Sequence, residues 1–544
     1  MVAGLRARMT QTPEPLEQAA VGPWLLFGLA GGVGLVGAFV GLGVSSLWFD
    51  ELVTAWVVGS DHSLSAVVSR ILCDVHPPVY YLSVFAFSEL AGAGDAELRA
   101  FSALCACSSV LVLVLATARS FSLPGRLFAA ALATGSGFWF YQAQNARNYS
   151  LTLLIGAGIL ALALRLLTRP DRPGGRPVTI ATMAALMLLG EMTHYYLMFE
   201  SVAVLLVLGV WRRDARAAAG LVILVLATLA FAYMKFVVQP HTLFPTTQAW
   251  IHKDTHWFRG QIQLAAGQAV NVLAAAAVAV CAAMALWISL GASGARSNGP
   301  PSVDPVMTLC AGVPVLVGIM GVSSSLLLTP NVTDRNLLIA SPFIWGLFAW
   351  LYDKGPGRAR GWPRLAADLL LAALSLGLAT IVLGRSLPLI TANREAADWI
   401  RAQPACRDQS VLTVMSASSG RLNGGADRWL YPLVMQRYVQ GYSPLTLAYS
   451  DTVAEGLLPA AEKAELIRRL GGKGCPVLLW VTHTAGADAG SVHRIVDPML
   501  AHLGGPGVRA RTRIQSFQVY RYGLRRDRKD SNTYILYVEP PPSR

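Results

Sequence analysis

The chain has 544 residues, of which 54% are hydrophobic and 14% are charged, and its mean hydropathy is +0.48. This composition excludes an ordinary soluble protein, since soluble domains carry about 25% charged residues. The net charge of +13 does not indicate a nucleic-acid partner, because the arginines fall in short loops between apolar runs and form no continuous basic face. The composition therefore predicts a membrane protein.

Apolar runs recur along roughly the first seven tenths of the chain, and most reach the length of about 18 residues that an α-helix needs to cross a bilayer. We predict about eleven transmembrane helices, at residues 21–45, 98–118, 127–143, 149–167, 178–195, 199–211, 217–238, 264–290, 305–328, 337–352 and 365–384. The run at 199–211 is short and needs residues 195–199 to complete it.

Basic residues fall in alternate loops between these runs, and the positive-inside rule places such loops in the cytoplasm. They are Arg119, Arg126, Arg165, Arg169, Arg172, Arg176, Arg212, Arg213, Arg216, Lys354, Arg358, Arg360 and Arg364. Residues 1–20 then form a cytoplasmic tail, and residues 46–97 and 239–263 form outer loops. We place the short apolar stretch 79–90 at the outer surface, because a further crossing there would turn the basic loops outward.

Hydropathy falls after the last predicted span, and the pattern becomes that of a soluble domain. We predict helices at 394–401 and 459–470 and strands at 411–415, 476–481, 513–521 and 533–538. Residues 385–544 therefore form a predicted α/β domain outside the membrane, and residues 21–384 form the transmembrane module. Cys406 and Cys475 are the two cysteines of the outer domain. They either form a disulfide, as an oxidising compartment allows, or are unpaired core residues.

Two short patterns have simpler explanations than a ligand site. Residues 32–37 match G-x-G-x-x-G, but they lie inside an apolar span, where glycines allow helices to approach each other. His252 and His256 have the spacing of a metal pair, yet they lack the glutamate of zinc proteases and are interpreted as part of a solvated loop. No metal site is therefore assigned and no cofactor is predicted, although a divalent metal is left open.

Asp50 and Glu51 directly follow the first predicted span, at the membrane edge where acidic residues are costly without a use. A helix cap beside the interface anchor Trp48 is the structural explanation of this pair. Other polar residues fall on the same side of the membrane: Asp74, His76, Gln144, Arg147, His194, Asp334 and Arg335. Together these acids, histidines and arginines form the set that transfer from an anionic lipid carrier requires.

These residues belong to an ordered series of motifs that resembles GT-C glycosyltransferases. The motifs are Trp48–Glu51, Asp74–Tyr81, Leu98–Leu104, Tyr141–Leu151 and Thr193–Tyr195. The branch that the series resembles most includes protein mannosyltransferase-like, aminoarabinose transferase-like and rhizobial galacturonosyltransferase-like enzymes. One position departs from the pattern, because the residue before Ala146-Arg147 is often acidic in the family and is Asn145 here.

The resemblance implies a fold of many transmembrane helices. Together with the hydropathy pattern, it predicts a membrane all-α fold, a GT-C type bundle of about 11 transmembrane helices with a C-terminal soluble α/β domain. It also implies a catalytic acid in the first outer loop, a polyprenyl-phosphate-linked sugar donor and inversion at the sugar carbon. On this basis we expect Asp50 to be the general base and Glu51 to orient it or the sugar. The remaining candidate residues for binding the donor phosphate or substrate are His76, Arg99, Gln144, Arg147, His194, Tyr195 and Arg335.

Within that set, Arg147, His76 and Arg335 are the candidates for the carrier phosphate, and Arg99 is expected to pair with an acid of the first outer loop. The acceptor is an envelope glycan, lipid or protein, and the expected location is the inner (plasma) membrane. A lipid or polar-solute transporter is the alternative. The spans have few mid-helix charges, which disfavours this alternative, because transporters place ionisable residues near the bilayer midplane.

Overall fold

The computed structural model describes residues 22–59, 63–74, 76–168, 176–211, 220, 251–292, 304–328, 330–384, 391–407, 411–415, 436–438, 446–449, 460–482, 511–517 and 533–539, with isolated positions between 493 and 503. The predicted tail 1–20, nearly all of the predicted span 217–238 and the first half of the predicted loop 239–263 lie outside these residues.

Helices dominate the first 400 residues. In chain order they are α1 (Leu25–Gly37), α2 (Phe49–Val58), α3 (Leu64–Ile71), α4 (Pro78–Ala91), α5 (Asp95–Ala116), α6 (Leu123–Thr134), α7 (Gly137–Ala143), α8 (Tyr149–Thr168), α9 (Arg176–Glu191), α10 (Tyr196–Trp211), α11 (Thr255–Ala269), α12 (Val272–Ala292), α13 (Pro305–Leu327), α14 (Asp334–Leu337), α15 (Ser341–Lys354), α16 (Trp362–Leu383) and α17 (Asn393–Arg401). Short 3₁₀ turns cover Leu338–Ala340, Pro356–Arg358 and Pro404–Cys406.

Five of these helices are long and apolar enough to cross a membrane: Asp95–Ala116, Tyr149–Thr168, Val272–Leu290, Pro305–Leu327 and Trp362–Leu383. Three shorter helices are also apolar: Leu25–Gly37, Pro177–Glu191 and Tyr196–Val210. Large apolar side chains face outward from several of them, among them Leu29, Leu115, Leu290, Val315 and Leu327. Exposing apolar side chains to water is unfavourable, and surrounding lipid removes this cost. We therefore conclude that the chain is an integral membrane protein.

The count of about eleven spans stays a prediction, because some predicted spans differ from the helices. The predicted span 127–143 is divided between α6 and α7, with a break at Gly135 and Ser136. The hydroxyl of Ser136 accepts a hydrogen bond from the backbone N–H of Trp139 (3.2 Å) and thereby caps the new helix. In the predicted span 21–45, α1 ends at Gly37 and turns follow it.

The glycines of α1 serve helix packing, as the sequence predicted. α1 packs against α6, and a Cβ atom added at Gly34 would lie 2.5 Å from the Cβ atom of Thr134. A larger residue at this position would push the two helices apart. Elsewhere in the bundle, α5 packs against α8, and α10 packs against α13.

The first outer loop contains three helices. α3 is capped by Ser63, whose hydroxyl accepts from the N–H of Ala66 (3.4 Å), and it buries Val67 and Ile71 while Leu64 and Val68 stay exposed. The stretch predicted at 79–90 is helix α4, which starts at Pro78. Its 14 residues are too few to cross a bilayer of about 30 Å, which agrees with a surface position.

The C-terminal residues form a mixed five-stranded sheet. Its strands are β1 (Leu412–Met415), β2 (Thr446–Tyr449), β3 (Val477–Thr482), β4 (Thr512–Phe517) and β5 (Thr533–Val538), and helix α18 (Ala460–Leu470) packs on β3. The order is β2-β1-β3-β5-β4, with β1 parallel to β2 and β3, and with β5 antiparallel to β3 and β4. The predicted strands at 411–415, 476–481, 513–521 and 533–538 correspond to β1, β3, β4 and β5. β2 was not predicted.

Of the two states that the sequence left open for Cys406 and Cys475, the structure shows the disulfide, which joins residues 69 positions apart. Both cysteines are buried. The bond links the turn after α17 to Cys475, two residues before β3. It therefore ties the start of the C-terminal domain to its central strand.

The topology is testable by labelling with a membrane-impermeant maleimide in intact cells. We expect Asp398→Cys, at an exposed position of α17, to be labelled from outside, and Ser122→Cys, in a predicted cytoplasmic loop, to be labelled only after permeabilisation. Labelling of Ser122→Cys in intact cells would reverse the assignment.

Counting thiols tests the disulfide. The chain has seven cysteines, and Cys73, Cys105, Cys107, Cys281 and Cys310 are free. We expect denatured, unreduced protein to take up five alkyl groups and reduced protein to take up seven, as measured by intact mass. Seven groups without reductant would contradict the bond.

Candidate active site at the start of the first outer loop

Asp50 and Glu51 lie in the first turn of α2, whose N-cap residue is Trp48. The carboxylate of Glu51 turns back and accepts a hydrogen bond from the N–H of Trp48 (3.2 Å). Acidic residues in the first turn are favoured by the partial positive charge of a helix N-terminus. The sequence Trp48–Glu51 thus starts the helix and fixes the direction of both acids.

Glu51 is buried in an ion pair with Arg99 of α5. The two oxygens accept from Arg99 Nε (Oε1, 2.8 Å) and Nη2 (Oε2, 2.6 Å), and Oε1 also accepts from the N–H of Ala146 (2.8 Å). With the bond from Trp48, four donors occupy the roughly four lone-pair sites of the carboxylate. Glu51 therefore has no free acceptor site for a substrate proton.

The remaining N–H groups of Arg99 donate hydrogen bonds to backbone carbonyls that precede α2. Nη1 donates to the carbonyls of Leu42 (2.8 Å) and Ser45 (2.7 Å), and Nη2 donates to the carbonyl of Ser46 (3.0 Å). The predicted pairing of Arg99 with an acid of the first outer loop is therefore present. Because the guanidinium is buried and fully engaged, its geometry is that of an anchor for this segment and not of a substrate ligand.

Asp50 has the opposite environment. Its side chain is 32% exposed, and its Oδ2 lies 3.8 Å from Nη1 of Arg335, whose side chain is 30% exposed. The guanidinium of Arg335 also lies over the ring of Trp48, 5.4 Å from its centroid, as expected for a cation–π contact. Asp50 is thus the accessible acid of the pair, with a cation beside it.

Arg147 is the second cation of the site and is only 5% exposed. Its Nη1 donates to the backbone carbonyl of Asp50 (3.2 Å), and its Nη2 lies 3.0 Å from Nε2 of His76. Because a guanidinium can only donate, Nε2 of His76 must be the acceptor. The ring proton of His76 is then on Nδ1, which donates to Oδ2 of Asp74 (3.0 Å).

Asp74 ends this chain of hydrogen bonds. It also accepts from the hydroxyl of Tyr81. Burial by itself raises the pKa of Asp74, but the contacts to His76, Arg147 and Tyr81 outweigh it and lower the pKa to about 2. Asp74 therefore stays ionised at neutral pH and, through its hydrogen bond to Nδ1 of His76, holds the ring with Nε2 toward Arg147.

Of the residues predicted to line a donor pocket, His194 lies in the turn between α9 and α10. Its Nδ1 accepts from the N–H of Tyr196 (3.2 Å), and its ring is 5.5 Å from that of Tyr149. Tyr195 beside it is partly buried.

The structure gives Gln144 another role than the predicted contact with substrate. Its Nε2 lies within hydrogen-bonding distance of the carbonyls of Gly37 (3.0 Å), Ala38 (3.1 Å) and Val40 (3.0 Å). These carbonyls lie at and just after the C-terminal end of α1. Since the side chain is buried and its N–H groups are engaged there, Gln144 caps a helix and is not available to a donor.

Tyr141 and Tyr149 are site residues that the sequence reasoning did not single out. Both interact electrostatically with Arg335 and Asp50. The hydroxyl of Tyr141 is buried and has no hydrogen-bond partner among the described residues. Both tyrosines lie close to Arg147 in the sequence, one on each side of it. This proximity is a signal by which they could have been identified.

A metal site is not formed by the described residues, in which no group of three or more His, Cys, Asp or Glu side chains is close enough to hold an ion. His252, one of the two histidines with metal-pair spacing, packs its ring against Trp257 (5.3 Å between centroids). His256 is an exposed residue in the first turn of α11, so the interpretation of both histidines as part of a loop is wrong for His256.

Comparisons with known proteins give a likeness of structure. No family model matches the chain, and no curated protein matches it in sequence. The crystal structure of ArnT from Cupriavidus metallidurans in the apo state has a TM-score of 0.54 at 13% identity and covers 95% of this chain and 98% of that chain. The same protein bound to undecaprenyl phosphate gives 0.53 at 14% identity, with 95% and 99% covered.

The archaeal oligosaccharyltransferase AglB from Archaeoglobus fulgidus, in complex with an inhibitory peptide and a dolichol-phosphate, has a TM-score of 0.47 at 10% identity, covering 87% of this chain and 70% of that chain. Only the ArnT structures exceed a TM-score of 0.5 among these three, and at their identity the likeness concerns the fold. The chain has the fold of ArnT, one of the enzymes in the branch that its motifs resemble.

Proposed function

We propose that this protein is a membrane glycosyltransferase that moves a sugar from a polyprenyl-phosphate-linked donor to an envelope glycan, lipid or protein acceptor, with inversion at the sugar carbon. The observation that carries the proposal is the accessible carboxylate of Asp50 beside the cation Arg335, with a second cation, Arg147, bound to the backbone carbonyl of the same residue. The ArnT fold supports it, since ArnT has been crystallised with undecaprenyl phosphate.

Asp50 is the general base in this reaction. Its carboxylate takes the proton of the acceptor hydroxyl while the hydroxyl oxygen attacks the anomeric carbon, and the bond from that carbon to the phosphate oxygen breaks. The electron pair of that bond leaves with the polyprenyl phosphate, whose negative charge increases. Attack on the side opposite the leaving group inverts the carbon. Base catalysis of this kind contributes about 10² to 10⁴ in rate.

Glu51 is a positioning residue in this scheme, because its four hydrogen bonds leave no acceptor site for a proton. It fixes the first turn of α2 and, through that turn, the direction of Asp50. Its partner Arg99 has the same role for the preceding backbone. Gln144 is left out of the proposed site, because its amide caps α1.

Arg335 and Arg147 stabilise the leaving phosphate. Arg335 is accessible, and its guanidinium stacks on the ring of Trp48. A phosphate can therefore bind to Arg335 where the arginine already lies. Arg147 is buried, and its Nε has no hydrogen-bond partner among the described residues. An oriented cation near hydrocarbon is worth more than one in water. His76 orients Arg147, since both ring nitrogens of His76 are engaged.

The proposed location is the inner (plasma) membrane, with residues 1–20 in the cytoplasm, residues 21–384 as the catalytic membrane module and residues 385–544 outside. His194 and Tyr195 line the donor side in this arrangement. The sugar is transferred at the outer face because Asp50 and both arginines follow outer ends of predicted spans.

A transporter is the second candidate, and one observation favours it. The carboxylate oxygens of Glu191 and Glu200 are buried without a hydrogen-bond partner among the described residues, and acids inside membrane helices often line transport pathways. A transporter forms no glycosidic bond. Detection of a glycosylated acceptor with purified protein therefore separates the two functions.

The role of Asp50 is tested by Asp50→Asn, which keeps the shape and cannot accept a proton. We expect transfer from a polyprenyl-phosphate sugar to fall to about 1% of wild type or less. Asp398→Asn, a matched change at an exposed site of α17, should be fully active. Activity of Asp50→Asn within about tenfold of wild type would remove Asp50 as the base.

The phosphate contact is tested by lysine substitutions, which keep the charge and lose the planar group with several N–H donors. We expect Arg335→Lys and Arg147→Lys each to lower kcat by about tenfold or more, because the leaving phosphate gains charge in the transition state. Arg401→Lys in α17 is the control. Wild-type kinetics for either variant, at saturating and at limiting donor, would exclude that arginine from the phosphate site.

A further inference from the structure

The backbone that leads into Asp50 is bound by Arg99 and also by the C-terminal domain. Ser46 forms an isolated antiparallel bridge with Thr391, and its hydroxyl donates to the carbonyl of Thr391 (2.6 Å). The N–H of Asn393 donates to the same hydroxyl (2.7 Å). All these groups are buried, so the contact is a structural joint and not a surface encounter.

Leu47, the next residue, is fixed at both of its backbone groups. Its N–H donates to the hydroxyl of Tyr438 (2.6 Å). Its carbonyl accepts from Oγ1 of Thr391 (3.1 Å) and from Nδ2 of Asn393 (3.3 Å). Every polar backbone group of this residue therefore ends on the C-terminal domain.

The hydroxyl of Tyr438 is itself oriented. It donates to Oδ2 of Asp95 (2.7 Å), which forces its lone pair toward Leu47. Asp95 also pairs with Arg437 (Nη2 to Oδ1, 2.8 Å) and Arg394 (Nη2 to Oδ2, 2.5 Å). Asp95 is the first residue of α5, which carries the anchor Arg99 one turn later.

The contacts from Arg99 and those from the C-terminal domain thus meet at the carbonyl of Ser46. The carbonyl of Ser46 accepts from Arg99 (3.0 Å) and from Oγ1 of Thr391 (3.3 Å). Asp50 follows Ser46 by four residues, and Trp48 between them carries the stacked Arg335. A displacement of about 1 Å in a reacting group can cost about 10²-fold in rate, so the conformation of residues 46–48 determines whether Asp50 and Arg335 face the donor together.

We infer that Tyr438 and Asn393 are positioning residues of the transfer reaction, through which the C-terminal domain sets the geometry of Asp50. The inference rests on the proposed function for its effect on rate. The contact itself does not depend on that function. The C-terminal domain is accordingly part of the catalytic unit, and removal of its hydrogen bonds to residues 46 and 47 lowers kcat without changing the affinity for the donor.

Tyr438→Phe tests this by removing one hydroxyl. The buried N–H of Leu47 then loses its acceptor, and we expect kcat for a polyprenyl-phosphate sugar to fall about 5- to 10-fold, with the donor KM unchanged within about twofold. Tyr537→Phe is the matched control, because its ring packs on Trp399 in the same domain and makes no contact of this joint. Asn393→Ala, which loses one side-chain bond to Leu47, should show the same split.

Hydrogen exchange of peptides that contain residues 46–51 gives a readout without turnover. We expect faster exchange in Tyr438→Phe than in wild type or Tyr537→Phe, confined to these peptides. Unchanged exchange and unchanged kcat would overturn the inference, and an equal loss in Tyr537→Phe would assign the effect to general destabilisation and overturn it as well. Faster exchange in a protein whose wild type transfers no sugar would support the joint and refute the proposed function.

Discussion

The buried ion pair between Glu51 and Arg99 is the interaction on which the rest of the site depends. Burying two charges is costly, and the cost is met here because every oxygen of the carboxylate and every N–H of the guanidinium has a partner. Loss of one partner would leave an uncompensated buried charge, at about 3 to 5 kcal/mol. Since Arg99 also binds backbone carbonyls of residues 42–46, the pair joins α5, α2 and the segment that precedes α2.

This pair also explains why two adjacent acids have different roles. Consecutive residues of an α-helix point about 100° apart, so Asp50 and Glu51 cannot both face Arg99. Glu51 faces the protein and is saturated with donors, while Asp50 faces the opening of the site beside Arg335. The roles of the two carboxylates therefore follow from the different directions in which their side chains leave the helix. Of the two, only Asp50 keeps free lone pairs that can accept a proton.

The two cations are fixed by different means. Arg335 stacks on Trp48, the cap of the helix that carries Asp50, whereas Arg147 is oriented by the ionised Asp74 through His76. Both arrangements are made by residues of the protein alone. Preorganised cations stabilise a developing phosphate charge without rearrangement at the moment of reaction. The C-terminal domain adds a third support, through the backbone of Ser46 and Leu47.

The sequence by itself determined the membrane class, the α/β nature of the C-terminal domain and the set of polar residues at one membrane edge, because hydropathy, period and basic loops are local properties. It could not separate Asp50 from Glu51, nor show that Gln144 caps α1. Those outcomes depend on partners that lie about 40 to 110 residues away, such as Arg99 and Gly37. Strand β2 was missed for a related reason, since its pairing with β1 is a tertiary contact. Only the tertiary structure decided which polar groups are saturated and which are free to react.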